Sequence, residues 1–203
     1  PYEAFKCDVP NLSTSLYFVV NDAFYTKALP KSHLPEGVVV GSLASAAKEN
    51  PDFIAKYYAK LAKTSDDGIN ALNTMLAQDG LFVYVPKNVK VDRAIQIINI
   101  LRSDVDLMVN RRVLIVVEEG AEIKLLFCDH SADDRNFLAT QVVEAYVGDN
   151  AALDLYCLEE THAKNVRVSN LYIDQQANSR VNHNVITLHN GITRNTTTLT
   201  FSG

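Results

Sequence analysis

Three cysteines, Cys7, Cys128 and Cys157, and five histidines, His33, His130, His162, His183 and His189, are the groups from which metal or sulfur chemistry would have to be built. The cysteines are odd in number and far apart. They therefore form neither a disulfide framework nor a paired C-x-x-C zinc motif, and reduced thiols are expected. His183 and His189 are spaced to share one face of a continuous strand. A cupin-like metal site, however, needs closer histidines and an acidic ligand, which Asn182, Asn184 and Asn190 do not supply. Asp129, Asp133 and Asp134 are the candidates for an acidic sugar-cleaving cluster, although Asp133-Asp134-Arg135 reads more simply as an exposed turn. Glu159-Glu160-Thr161-His162 reads as a solvated corner loop, and His33, His130 and His162 as solvated histidines. There is no G-x-x-x-x-G-K-[ST], G-x-S-x-G, H-E-x-x-H or Gly-rich dinucleotide fingerprint, so the sequence carries none of those nucleotide-binding or hydrolytic signatures. No catalytic, cofactor-binding or metal-binding residue is assigned.

The elements that would position these groups change character along the chain. Leu16–Val20, the turn pair Asn21-Asp22 and Ala23–Tyr25 predict a tight β-hairpin, and Val38–Val40 a second short strand. From Ser42 to Asp79 the spacing becomes helical, with Phe53, Tyr57 and Leu61 on one stripe and Ile69, Leu72, Met75 and Leu76 on another. Pro51 suits a first helical turn, and Ser65-Asp66-Asp67-Gly68 separates two helices and caps the second. Residues 1–79 are thus expected to form a small α/β region with a helical hairpin.

From Leu81 onward, strands of strict alternation are separated by short polar turns, and the pattern repeats. Leu81-Val83-Val85 is followed by Pro86-Lys87-Asn88 and Val89-Val91. Val113-Ile115-Val117 leads to Glu118-Glu119-Gly120 and Ala121-Ile123-Leu125. Val143-Ala145-Val147 leads to Gly148-Asp149-Asn150 and Ala151-Leu153-Leu155, and Leu171-Ile173 to Asp174-Gln175-Gln176 and Ala177-Ser179-Val181. Aligning Val85, Val117, Val147 and Ile173 gives a period drifting from roughly thirty residues to the mid-twenties, which is a solenoid period. One coil cannot bury its apolar face alone, so coils stack and inward residues form ladders. A right-handed parallel β-helix over residues 80–203 is predicted. An antiparallel sandwich also yields short alternating strands, but gives no reason for one turn length at one phase four times. The same alignment places Ile95, Phe127, Cys157 and His183 at one inward position, making Cys157 and His183 neighbours in adjacent coils. Such a pair could bind metal or sulfur species; the preferred reading is a small buried hydrophobe beside a hydrogen-bonded core histidine.

The chain has 203 residues, 47% hydrophobic and 21% charged, with a net charge of -5. That supports a buried core and disfavours nucleic acid or an anionic membrane as the main partner. Neither a membrane-spanning run nor a secretory leader is visible, so a cytoplasmic location is expected. The chain begins at Pro1 and ends at Ser202-Gly203 directly after a strand-like run. Both ends read as cut, the β-helix being truncated at its C-terminal end, because a solenoid needs atypical terminal turns. An open coil end would favour self-association, so a homodimer is one expected state of the isolated chain.

Leu34-Pro35-Glu36-Gly37-Val38-Val39-Val40, Ala71-Leu72-Asn73-Thr74 and the block Asp79–Val89 resemble the SufB/SufD family of iron–sulfur cluster assembly proteins. Gly191-Ile192-Thr193-Arg194-Asn195 and the Thr/Leu alternation after it look like the SufD branch. The resemblance runs from about Leu16 to Phe201 and implies a parallel β-helix behind a short mixed region. It further implies a non-enzymatic scaffold subunit that pairs with SufB and works with the SufC ATPase. The cluster would be assembled transiently by the full complex, with no cofactor held by this chain. The family's cluster-associated histidine and SufC-binding helices have no matching positions here, so no site residue is carried over. A carbohydrate-active β-helix, lyase or hydrolase, is the alternative.

Overall fold

The computed structural model describes residues 15–26 and 34–203; Cys7 and His33 lie outside them. Strand β1 (Ser15–Val20) turns through Asn21, at φ 57°, into the antiparallel β2 (Ala23–Phe24), forming the predicted hairpin. Strand β3 (Val39–Ser42) precedes three short helices, α1 (Leu43–Glu49), α2 (Pro51–Tyr57) and α3 (Gly68–Leu76). Nine further strands follow: β4 (Leu81–Val85), β5 (Ile95–Leu101), β6 (Leu107–Val117), β7 (Glu122–Ser131), β8 (Phe137–Val147), β9 (Ala152–Glu160), β10 (Val166–Gln175), β11 (Arg180–His189) and β12 (Ile192–Phe201).

From β4 onward successive strands alternate between two sheets, ordered β11-β9-β7-β5-β1-β2 and β12-β10-β8-β6-β4-β3. All pairings between these strands are parallel, so the chain is the expected parallel β-solenoid. Because strand side chains alternate, Val113, Ile115 and Val117 pack inward against Ile123, Leu125 and Phe127 in one continuous core. Leu114 and Val116 point outward, beneath α1 and α2.

The corner turns explain three of the four repeated polar triplets; the fourth turn is Gln176-Ala177-Asn178, two residues beyond the expected Asp174-Gln175-Gln176, whose first two residues end β10. Asn88, Gly120, Asn150 and Asn178 all have φ between 56° and 67°, the left-handed region that Gly and Asn tolerate best. Each turn bonds to the next, as in Asn88 N–H to Glu119 O (2.9 Å), Gly120 N–H to Asp149 O (2.8 Å) and Asn150 N–H to Ala177 O (2.9 Å).

Two expectations are corrected in detail. Val85, Val117 and Val147 are in register, but the fourth member is Gln175 rather than Ile173, which pairs with Ala145. Inward and outward positions recur every two residues, so a two-residue slip leaves the hydrophobic pattern intact and is invisible to it. In the helical region a break at Asn50-Pro51 makes three helices instead of two. The third does not form a hairpin with the second; it lies across β6 and β8. Its buried side chains are Asn70 and Asn73, while Met75 is 72% exposed.

Candidate functional site

The apolar interior gives way to charge at one end of each rung. In the first sheet Asn99, Asp129, Glu159 and Thr187 stack as one inward ladder. Facing them from the second sheet are Arg111 on β6 and Arg167 on β10. Arg111 Nη1 donates to Asp129 Oδ1 at 2.8 Å, and its Nε donates to the Asn21 carbonyl at 2.9 Å. Arg167 bridges the two carboxylates, with Nη2 3.3 Å from Asp129 Oδ2 and Nη1 bonded to Glu159 Oε1. Asn99, Asn195 and Thr187 supply further donors to the carboxylates, at 2.9, 3.0 and 2.7 Å. All four charged side chains are at most 6% exposed.

This arrangement sets the protonation states. Burial pushes the Asp129 carboxyl up, but Arg167 and Arg111 overcome it and hold the group below the usual carboxylate range. For Arg167 burial acts against the charge, and Asp129 and Glu159 more than restore it. For Arg111 burial lowers the guanidinium despite the Asp129 charge; the two arginines and two acidic side chains are largely hydrogen-bonded to one another, which is the condition under which buried charge is tolerated.

Beside this cluster lies a cavity lined by Phe127, Leu155, Cys157, Arg167, Ser169 and His183 and bounded further by residues of β11 and β12. Cys157 and His183 both face it, as expected of inward positions, but they are not rung partners. Cys157 pairs with Val185, and His183 pairs with Leu155. Burial, followed by the Asp129 charge, pushes the Cys157 thiol up to about 12, and burial lowers the His183 imidazole. At neutral pH this is a thiol beside a neutral ring.

The other sequence candidates are dispersed. Asp129 is inside the solenoid, whereas Asp133 accepts from Ser103 N–H at an exterior corner and Asp134 contacts Lys164 at 3.0 Å and His162 at 3.3 Å; they form no joint acidic groove. His130 is not a solvated turn residue: it lies within β7, one residue before its end, its side chain 16% exposed and 3.9 Å from Glu160. Glu159 likewise belongs to β9 rather than to a loop, because strand alternation continues through Glu160. A β-bulge between Thr187 and His189 breaks the strand continuity that would align His183 with His189, and His189 Nδ1 bonds instead to Thr161 O at 2.7 Å. Among the described residues no three His, Cys, Asp or Glu groups are placed to hold a metal ion. Arg111 and Arg167 went unnoticed in the sequence. Their signal was a charge at inward parity within an apolar strand, answered by the Asp129–Glu159 ladder one strand away.

Fold and interior together define a parallel β-solenoid whose buried charged groups Arg111, Asp129, Glu159 and Arg167 are bound to one another. The family model of the SufBD protein N-terminal region matches residues 1–97, and that of the SUF system FeS cluster assembly SufBD core domain matches residues 99–203. The chain belongs to the SufB/SufD family. It is 33% identical over 129 residues to an iron–sulfur cluster assembly SufBD family protein of Synechocystis, covering 63% of this chain and 27% of that one. A chloroplastic SufBD family protein of Arabidopsis thaliana is 33% identical over 143 residues, covering 68% and 24%. The iron–sulfur cluster assembly protein SufD of Bacillus subtilis is 28% identical over 148 residues, covering 72% and 34%. The chain thus spans about a quarter to a third of the length of these relatives.

Proposed function

We propose that this chain is the solenoid portion of a SufD-type scaffold subunit, pairing with SufB and serving iron–sulfur cluster assembly together with the SufC ATPase. The observation that carries the reading is the pair of consecutive family matches across residues 1–97 and 99–203. The fold supports it: parallel ladders bonded rung to rung move nearly as one body, so movement applied at one end of the stack reaches a partner at the other. In this reading the chain performs no turnover reaction and holds no resident cofactor. The cluster is cargo, and nucleotide hydrolysis belongs to SufC. A cytoplasmic setting accords with the observation that no described helix is long and apolar enough to cross a membrane.

The test is affinity capture of purified SufB and SufC by the tagged protein, followed by anaerobic cluster reconstitution of the recovered complex. Retention of SufB is expected, with SufC recovered only in complex with SufB and cluster absorbance confined to that assembled complex. Failure to retain SufB overturns the reading.

A further inference from the structure

Helix α3 is joined to the solenoid in a different way from α1 and α2. Those two helices sit on an apolar bed: Leu43 and Ile54 are buried against Phe82, Leu114 and Val116, and Phe53 and Tyr57 pack on Tyr84 and Tyr146 with ring centroids 4.8 to 5.3 Å apart. The buried side chains of α3 are two asparagines. Asn73 Nδ2 donates to Arg111 O and Thr140 Oγ1, both at 3.0 Å, and Asn70 Nδ2 donates to the Tyr172 hydroxyl at 2.8 Å. Asn170 Nδ2 donates to Asn70 Oδ1 at 3.0 Å and to the α3 cap, Asp67 Oδ1, at 3.2 Å.

The strap of residues 58–67 that leads into α3 is fastened by one carboxylate. Glu144 accepts the backbone N–H groups of Ala59 (2.8 Å), Leu61 (2.8 Å) and Ala62 (3.0 Å). It also accepts Arg112 Nη2 at 2.5 Å, and that guanidinium in turn reaches Thr74 Oγ1 of α3 at 3.1 Å and lies 4.6 Å from the Tyr58 ring centre. Arg112 and Glu144 are 1% and 0% exposed. Strap and helix therefore converge on a single outward-facing ion pair on the second sheet.

Polar and apolar interfaces differ in what opening costs. Separated apolar surface must be rehydrated at full cost, whereas separated hydrogen-bonding groups exchange protein partners for water and lose little net. We propose that the strap and α3 form a polar clasp that undocks from β6 and β8 as a unit while α1, α2 and the solenoid remain folded, with Glu144 as the latch. Undocking uncovers the pair Asn110 and Thr140 and the adjacent row Arg112, Val142 and Asn170, while the inward-facing core stays covered. The clasp is a cooperative unit of low opening free energy, of the kind that native-state exchange resolves.

The test is hydrogen–deuterium exchange of the protein across a series of low urea concentrations, with and without Glu144→Gln. In the parent protein, amides of 59–62 and 68–76 are expected to open with a shallower urea dependence than those of β6, β8 and β10. Glu144→Gln is expected to accelerate the first set by about tenfold or more, because hydrogen bonds to a charged acceptor are lost, and to leave the strand amides unchanged. If α3 amides in the parent share the urea dependence of the strands, there is no separate clasp. Uniform acceleration in the variant refutes the latch. The parent measurement decides the matter even if the variant fails to fold.

Discussion

At the scale of the residue, the deciding feature is the buried cluster of Arg111, Asp129, Glu159 and Arg167. Removing one member strands its partners in a low-dielectric interior, so Asp129→Asn should cost about 3–5 kcal/mol in urea unfolding. The pH dependence has a definite sign. The Asp129 carboxyl is held below its usual range by Arg167 and Arg111 against the upward push of burial. Its stabilising contribution is therefore complete above the unfolded-state value near about 4 and fades as pH falls through the lower folded value. The stability gap between parent and Asp129→Asn should be constant from pH 7 down to 5 and shrink below about 4. A second prediction concerns Cys157. Its thiol is pushed up to about 12, so site-resolved mass spectrometry should find it almost unmodified by iodoacetamide at pH 8 in the folded protein and rapidly modified in guanidinium. The inward placement of Cys157 and His183 was legible from strand parity. Their pairing was not, because parity carries no information about a slip of two residues. Arg111 and Arg167 escaped notice because a charge within an apolar strand is ordinarily assigned to the outer face, and only the matching carboxylates across the interior reveal otherwise.

At the scale of the element, the corner turns and helix α3 show opposite degrees of legibility. The turns were readable because a left-handed residue is needed at one phase of each rung, and Asn or Gly recurs there for that reason. Asn150→Gly should then be nearly neutral and Asn150→Ala should cost about 1–2 kcal/mol, both measured by thermal or urea unfolding. Gly148 answers to a different constraint: a Cβ there would lie 2.7 Å from Glu119 N of the preceding turn. Gly148→Ala should accordingly destabilise more than Asn150→Ala, although its backbone angles are permissive. Helix α3 misled the pattern argument. Ile69, Leu72, Met75 and Leu76 make a helical stripe that suggests the core-facing side, yet Asn70 and Asn73 face the sheet. Amide side chains were selected there because the surface beneath presents Thr140, Tyr172 and Asn170, not an aliphatic face. That surface belongs to strands far away in sequence, which a local window does not contain.

At the scale of the whole molecule, the solenoid was legible because its repeat is carried by turns as well as by hydrophobicity, two signals with one phase. The rung lengths follow from the corner contacts: Lys87 meets Glu119 at a separation of 32 residues, Ser103 meets Asp133 at 30 and Asp149 meets Ala177 at 28. Gln175 pairs with Phe201 on the following rung, so along the second sheet the offset between paired strands falls by two residues at each step, from 32 at β4/β6 to 26 at β10/β12. Every decrement in that sheet is even, so its strands keep a reading frame with a period of two, and the odd step in the other sheet, between the Glu159–Thr187 and Glu160–His189 pairs, is taken up by the β-bulge. Shortening the exterior corner 132–136 by two residues should therefore yield a soluble protein that unfolds cooperatively. Deleting Ala145 alone from the middle of β8 should send the inward residues of half a strand outward and produce aggregate on expression. Lineages of this fold would then drift in length by pairs within their strands and confine odd insertions to corners and bulges, much as a coding sequence tolerates triplets and rejects single bases.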